Sequence, residues 1–414
     1  MGIVARLLVL GLVAPGVLAC SGDSTGTPPP GPPATGVRPP ADLPVLANVL
    51  PADRDLVEVW VHGAYVYTTT YSTSRSRAAG NQGDALKVWS AGPAGPVLVD
   101  SAVVPGARSL TDVQASEDGR LLIVSSQGDP GALHVFNLAD PAHPRLLSRF
   151  SSPNTAPGGG GGVHTAALGR VGGRLYAFLS IDPGPGFRSR LVIVDLADPR
   201  APREAAVLMI GTPIVHDVFV RDGYLFTALW DGGMSIWAVG GGGRGGTPER
   251  PVEIGNVQTV GGNVHNIWWF HDPADGTKRY AFVGEEAPGP NGFRGDLHVV
   301  DVSDMTRPRE VAFFSDPNAG IHNFHMDEAR GILYAAYNTA GVRAFAVRGD
   351  LGACAAEARS PDGRCDLKKM GREVGHAPLN GRGLTQGVHH AGDHLYAAAL
   401  GSGLWKLDVT PLHR

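Results

Sequence analysis

The sequence predicts an all-β repeat fold, and three observations support this expectation. Seven segments with a similar apolar pattern recur at intervals of 49 to 64 residues. Each is followed by a turn and by two further short strands rich in β-branched and aromatic residues, and most units add a weaker fourth strand. The 58 glycines and 33 prolines supply the many turns that such a chain needs. Four-stranded units at this period are typical of a β-propeller, here with seven blades.

The seven segments start the predicted blades, and one position recurs in all of them. The segments read LVEVWV, LTDVQA, VHTAAL, VHDVFV, VHNIWW, IHNFHM and TQGVHH. Their second positions are Val57, Thr111, His164, His216, His265, His322 and Gln386.

The two ends of the repeat region predict how the ring closes. The seventh unit stops after its third strand, at Pro411, whereas the segment PVLANVL begins at Pro44, ahead of the first unit. An N-terminal strand that completes the last blade would close the ring and remove an exposed sheet edge. We therefore expect one propeller domain over residues 44–414.

A recurring turn follows the third strands, as in LVIVDLADPRAPR (191–203), HVVDVSDMTRPRE (298–310) and HVFNLADPAHPRL (134–146). In the third blade, Asp198 is placed to accept hydrogen bonds from the turn backbone, while Pro199 and Pro202 fix φ at about −65°. These residues are expected to shape the blades rather than to bind a substrate.

These repeats, together with IVHDVFVRDGYLFTALWDGG (214–233), resemble the LVIVD-repeat family of bacterial and archaeal surface proteins. The resemblance runs from about Leu56 onward and is strongest in blades three to six. It implies the propeller fold and carries over no catalytic residue.

The N-terminal region resembles an export signal. Arg6 supplies positive charge, Leu7–Val13 form a short apolar segment, and Ala19 stands directly before Cys20. The latter pair looks like the lipobox of bacterial lipoproteins, so we expect a signal peptide over residues 1–19 and lipidation of Cys20. Ser21 after the cysteine favours, by the same resemblance, an outer membrane where the organism has one. The alternative is a plain secreted protein with an unmodified cysteine.

Residues 20–43 are dominated by Pro, Gly, Ser and Thr and are nearly free of apolar residues, so they cannot form a core. We expect an extended tether that holds the folded body away from a membrane. Cys354 and Cys365 flank a polar loop, and export to an oxidising compartment predicts a disulfide between them. No zinc-type CxxC spacing is present.

Composition excludes several classes of function. The formal net charge of −4 is spread along the chain without a basic stripe, so no nucleic-acid partner is expected. The glycine runs at Gly158 and Gly240 lack the Lys-Ser/Thr of a phosphate-binding loop, and no nucleophile-elbow motif occurs. We expect a monomer.

Histidines recur where four consecutive blades begin. The innermost strands of a propeller line its central channel, so His164, His216, His265 and His322 should ring one mouth. The next positions are polar: Thr165, Asp217, Asn266 and Asn323, with Glu58 and Asp112 in the first two blades. Imidazoles oriented by carboxylates or amides are what a copper, zinc or iron site needs. The alternative is structural, because His-Asp-Val belongs to the LVIVD repeat itself.

Long loops between second and third strands should converge on the same mouth. Enlarged loops on a rigid scaffold commonly carry binding function. The charged residues they bring are Arg75, Arg77, Arg188, Glu285, Glu286 and Arg294.

Two hypotheses for function follow. The first is a non-enzymatic, lipid-anchored extracytoplasmic scaffold that binds an envelope protein, peptide or glycan through its loop face. The second is a metal-dependent enzyme, an oxidoreductase for example, that uses a divalent or copper ion held by the histidine ring.

Overall fold

The computed structural model describes residues 37–128, 131–156, 161–210, 214–289, 292–379 and 383–413. The expected signal peptide (1–19), the lipidation site Cys20 and residues 21–36 of the expected tether lie outside the described residues. No helix in the described part of the chain is long and apolar enough to cross a membrane.

Seven small antiparallel sheets form the seven blades of a β-propeller, as the repeat predicts. The innermost strands are Asp55–His62, Ser109–Ala115, Val163–Val171, Asp217–Arg221, Val264–Trp269, Phe324–Asp327 and Leu384–Ala391. The second strands are Tyr65–Tyr71, Leu121–Gln127, Arg174–Ile181, Tyr224–Ala228, Tyr280–Glu285, Ile332–Ala336 and His394–Leu400. The third strands are Ala85–Ser90, Ala132–Asn137, Arg190–Asp195, Met234–Ala238, Leu297–Asp301, Val342–Ala346 and Gly403–Asp408. The outer strands of blades one to six are Val97–Val103, Arg145–Phe150, Arg203–Leu208, Val252–Val257, Arg309–Phe314 and Glu373–Ala377.

The ring closes as expected, with an N-terminal strand in the last blade. Val45–Val49 pairs antiparallel with Gly403–Asp408 and forms the outer strand of blade seven. The side-chain amide of Asn48 donates to the carbonyl of Ser402 at 2.9 Å, across the junction. This pairing joins the two ends of the propeller region through a hydrogen-bonded ladder.

A second N-terminal contact precedes the closing strand. Ala41–Asp42 pairs in parallel with the outer strand of blade six, with Ala41 opposite Gly375. Leu43 is only 3% exposed and packs in the apolar cluster between blades six and seven. The folded body therefore includes residues 41–43, which precede the expected domain start at residue 44.

An excursion separates the third and outer strands of blade six. It contains the 3₁₀ helix Ala356–Ala358 and the disulfide between Cys354 and Cys365, which confirms that prediction. Cys365–Asp366 then pairs in parallel with the outer strand of blade five. The chain thus covers the edge of blade five before it completes blade six. This insertion moves the outer strand of blade six away from its position in the other repeats, so the repeat spacing did not predict that strand.

The described loops and the C-terminal end also contain short elements of secondary structure. They are the helix Ser74–Ala78, the hairpin strands Ala287–Gly289 and Gly292–Arg294, and the C-terminal 3₁₀ helix Thr410–Leu412.

The core lies between neighbouring blades. Phe226 of blade four, fully buried, meets Trp269 of blade five with 5.3 Å between ring centroids. Each such side chain contributes roughly 1.5–3 kcal/mol of apolar burial. The repeated turns behave as expected: Asp198 accepts from the backbone nitrogen of Arg200 at 2.9 Å. Blade-to-blade packing therefore fixes the start of each innermost strand around the channel.

Candidate functional site

Four imidazoles form a continuous arc at the channel mouth where the innermost strands begin. They are His164, His216, His265 and His322, from blades three to six. Successive ring centroids are 4.3, 4.1 and 4.3 Å apart. The equivalent register of the four blades brings these side chains into contact, although 158 residues separate the first from the last.

Three buried donors converge near the middle of this arc. His216, His265 and Glu286 are 6%, 2% and 6% exposed, and one ligand-type atom from each lies within 4.8 Å of the others. His265 Nε2 is 3.4 Å from a carboxylate oxygen of Glu286. Glu286 directly follows the second strand of blade five, and its backbone nitrogen donates to the carbonyl of Asn263 at 3.0 Å. Two imidazoles and one carboxylate are a donor set suited to a transition-metal ion.

Several polar atoms of this triad have no hydrogen-bond partner among the described residues. These atoms are both ring nitrogens of His265 and Nδ1 of His216. An unpaired buried polar group costs roughly 1–3 kcal/mol. Burial also holds the pKa of both imidazoles well below the usual histidine range, and the neighbouring histidines add to this effect. Both rings are therefore neutral at pH 7, which is the form that ligates metal ions.

The pKa of the triad's carboxylate is shifted upward, opposite to the shift of the two imidazoles. Burial raises the pKa of Glu286 to about 7. A metal ion in contact with the carboxylate would favour its ionised form, as any nearby cation does.

His322 adjoins the triad with one nitrogen already committed. Its Nδ1 donates to the carbonyl of Gln386 at 3.1 Å, which is the equivalent position in blade seven. Its Nε2 lies 4.0 Å from Glu286. Burial lowers the pKa of His322 to about 3. A backbone acceptor on one imidazole nitrogen is the usual orienting contact of a metal-ligating histidine.

His164, at the other end of the arc, is in a different environment. Its Nδ1 lies 3.2 Å from the carboxylate of Asp182 and 2.9 Å from the side-chain nitrogen of Gln127. Burial opposes protonation, yet the negative charge of Asp182 raises the pKa of His164. This end of the arc therefore accommodates positive charge more readily than the triad does.

Trp230 forms a wall beside the triad that was not predicted from the sequence. Its indole stacks on His216 with 5.1 Å between ring centroids and 26° between planes. The residue adopts φ of +54°, a conformation that is uncommon outside glycine, and its backbone pairs with Val264. The turn at Trp230 thus packs an indole ring against His216, which also contacts the ring of His265.

The polar row after the histidines lines the channel one step further inside. Asn323 donates to Glu58 at 2.7 Å, and Asp112 accepts from the backbone nitrogen of Ala166 at 2.9 Å. These bonds cross between blades, so part of the row has a structural role. Asp217 and Asn266 also line this part of the channel, outside the buried donor triad.

Carboxylates in this row are difficult to ionise. Burial is the main cause, and it raises the pKa of Asp112 to about 6 and that of Asp217 to about 7. The pKa of Glu58 is raised well above its usual range by burial and by the two aspartates.

Two of the loop residues singled out in the sequence are tied into the protein body. Arg75 pairs with Asp55 at 2.6 Å, and Glu285 lies 3.5 Å from His298. Their contacts stabilise blades one and five.

The other loop arginines are exposed. Arg77 donates to the backbone carbonyl of Ser72 at 2.9 Å, while Arg188 and Arg294 extend from their loops into solvent. Of the loop residues predicted from the sequence, the structure brings Glu286 to the histidine arc.

The family comparison matches this architecture. A model of the LVIVD repeat matches residues 291–316, which contain the third and outer strands of blade five. The chain is a seven-bladed β-propeller in which this segment matches the LVIVD repeat. No curated protein matches its sequence. Among solved structures it is similar to the crystal structure of the computationally designed Ika8 protein, at 10% sequence identity and a TM-score of 0.48, covering 86% of this chain and 83% of that chain.

A second donor group lies away from the arc. Asp327, His390 and His413 bring ligand-type atoms within 4.8 Å of one another. Arg330 already pairs with Asp327 at 2.9 Å, and Nε2 of His390 donates to the carbonyl of Gly392 at 2.8 Å. Asp327 and His390 thus have protein partners, and Nε2 of His413 is the one unpartnered nitrogen of this group among the described residues, against three in the arc triad. The arc is therefore the stronger candidate for a metal centre.

Proposed function

We propose that the propeller holds a divalent transition-metal ion at the mouth of its channel, with His216, His265 and Glu286 as ligands. The observation that carries the proposal is the convergence of three buried donors in which imidazole nitrogens have no hydrogen-bond partner among the described residues. Binding an ion there would offset the desolvation of those nitrogens.

The donor set favours zinc, copper or iron over calcium or magnesium. Neutral imidazole is a ligand for the former group, while the latter prefer oxygen atoms alone. Three protein ligands leave a coordination position for water or a substrate, as in catalytic rather than structural zinc sites. His322 is close enough to Glu286 to act as an additional ligand after a small side-chain movement. This donor set supports the metal-dependent enzyme hypothesis.

The direct test is elemental analysis of the full-length chain, purified from an exporting host without a histidine tag. We expect about one zinc, copper or iron atom per chain, and we expect this metal to be lost in His265→Ala and Glu286→Gln. The matched control is His389→Ala. His389 lies in blade seven and is only 6% exposed, so this variant also removes a buried imidazole. That variant should keep its metal.

Circular dichroism in the near ultraviolet checks that each variant is folded. Folded wild-type protein that stays metal-free after incubation with each ion would refute the proposal. Metal retained unchanged in both ligand variants would refute the assignment of the site.

A second candidate function is binding of an envelope protein, peptide or glycan through the loop face. The exposed arginines Arg188 and Arg294 favour it, since binding residues commonly lie on loops positioned by a rigid scaffold. Replacing both with serine should abolish capture of an envelope component that the wild-type chain retains. Equal capture by the two proteins would exclude these arginines from such an interface.

We also propose an extracytoplasmic location with a lipid anchor on Cys20. The disulfide between Cys354 and Cys365 supports export, because such bonds persist mainly in oxidising compartments. Cell fractionation of wild-type protein and of Cys20→Ser tests the anchor. The wild-type chain should sediment with membranes and the variant should be soluble, whereas identical distribution would refute lipidation at this residue.

A further inference from the structure

A cavity of about 910 Å³ occupies the other mouth of the channel, where the innermost strands end. Blades two to six contribute its walls, and the histidine arc lies at the opposite ends of these strands. The volume is within the range of small-molecule sites in proteins. Neither the repeat pattern nor the proposed metal centre accounts for this cavity.

Two aromatic rings provide flat apolar faces in the cavity. Phe219 and Trp268 are both partly exposed there, with 5.4 Å between their ring centroids. Trp268 is held from two sides: its indole nitrogen donates to Glu328 at 3.3 Å, and its ring packs edge-on against His325 at 5.2 Å. The indole is therefore fixed in position before any ligand arrives, which reduces the entropy cost of binding.

Charged groups around these rings are already paired with each other. Arg221 binds both carboxylate oxygens of Glu328, and Lys278 pairs with Asp222. A third cation of the lining, Arg170, pairs with Asp118 at 2.9 Å outside the cavity.

The lining has no net formal charge when histidine is counted as neutral. Its three cations are Arg170, Arg221 and Lys278, and its three carboxylates are Glu117, Asp222 and Glu328.

The two aromatic rings and the paired charges together favour one class of ligand over others. An anionic ligand would compete with the carboxylates that already pair with Arg170, Arg221 and Lys278. A cationic ligand would compete with the cations that already pair with Asp222 and Glu328. A purely apolar ligand would cover charged groups without replacing their contacts to water. A ligand with flat apolar faces and many neutral hydroxyl groups avoids both the competition with ion pairs and the desolvation of charged groups.

We propose that this cavity binds a neutral saccharide, with sugar C–H faces packed on Trp268 and Phe219. Hydroxyl groups bond to the remaining donors and acceptors of the paired side chains, chiefly Arg221 and Glu328. Ion-paired side chains keep free N–H groups and oxygen lone pairs in fixed directions, which suits hydroxyls that both donate and accept. The site is independent of the metal centre because it lies at the opposite mouth.

The test uses the full-length chain and titration calorimetry with maltohexaose, cellohexaose and chitohexaose as neutral probes. Oligogalacturonate and chitosan hexamers serve as anionic and cationic probes. At least one neutral probe should bind, and Trp268→Ala and Phe219→Ala should each weaken that binding by about tenfold or more. Quenching of tryptophan fluorescence by the same sugar gives a second measurement.

Two controls keep the result interpretable. Phe187→Ala removes a half-buried phenylalanine from a loop on the opposite face and should bind the sugar as the wild type does. His265→Ala should also bind it normally, which separates this proposal from the metal centre. Absence of binding by all neutral probes to the folded wild-type chain would overturn the proposal. Preference for a charged probe, or undiminished binding in both aromatic variants, would overturn it as well.

Discussion

We expect His298 to make the stability of the protein depend on pH over a defined range. The residue lies on the third strand of that blade and is fully buried, with Nδ1 2.8 Å from Glu310 and Nε2 3.5 Å from Glu285. Burial disfavours the charged ring, but the two carboxylates outweigh it and raise the pKa of His298 to about 9. Arg364 also binds Glu310, so protonated His298 completes an alternating row of cations and anions.

The sign and size of the effect follow from this shift. Because the folded-state pKa lies above the unfolded value of about 6.5, protonation stabilises the folded state. The full contribution is present below pH 6.5 and is lost as pH rises through 9. A shift of this size corresponds to about 3 kcal/mol of unfolding free energy.

The assay is guanidinium unfolding of the wild type and of His298→Gln at intervals from pH 6 to pH 10. We expect the free energy of unfolding of the wild type to exceed that of the variant most at pH 6, and the difference to shrink by about 3 kcal/mol by pH 10. Other titrating groups, including Glu286, affect both proteins and cancel in the difference. A difference that stays constant with pH, or a measured His298 pKa near 6.5, would refute the reasoning.

Three further predictions concern individual contacts. Replacing Cys354 and Cys365 with serine should lower the free energy of unfolding by about 3 kcal/mol, because the unfolded chain regains the entropy that a disulfide across 11 residues removes. Denaturant unfolding of the variant and of the reduced wild type checks this value. Tyr334→Phe should leave stability unchanged or raise it by about 1 kcal/mol, because the buried hydroxyl has no hydrogen-bond partner among the described residues; a clear loss in thermal melting would contradict that account. Gly387→Ala should lower the free energy of unfolding by about 1–3 kcal/mol, since the added Cβ would lie 2.9 Å from the backbone nitrogen of Val59. Gly92→Ala is the control: the atom nearest to its added Cβ is 3.7 Å away, so this variant should melt like the wild type.

Periodicity was sufficient to predict the blades because each unit repeats the same alternation of strand and turn. Register then placed His164, His216, His265 and His322 on one mouth, since equivalent positions of a closed ring must be neighbours. The same argument identified the strand at Val45–Val49, because the last unit lacked its outer strand.

Features that depend on non-repeated contacts could not be predicted in this way. Arg75 pairs with Asp55, a contact that depends on three-dimensional proximity rather than on sequence spacing. Trp230 reaches His216 through a positive φ that no residue preference signals. The aromatic cavity unites Phe219 and Trp268 from different blades, and in the sequence each looks like ordinary inter-blade packing.

The order of the two N-terminal contacts affects how the propeller would carry mechanical load. A pulling force applied through the N-terminal segment meets Ala41–Asp42 and the buried Leu43 before it reaches the strand Val45–Val49. The first contact lies on blade six and the second on blade seven, so they yield one after the other. Tension on the chain before Ala41 would therefore load the short parallel pairing first, and it would reach the ring-closing strand only after that pairing has opened.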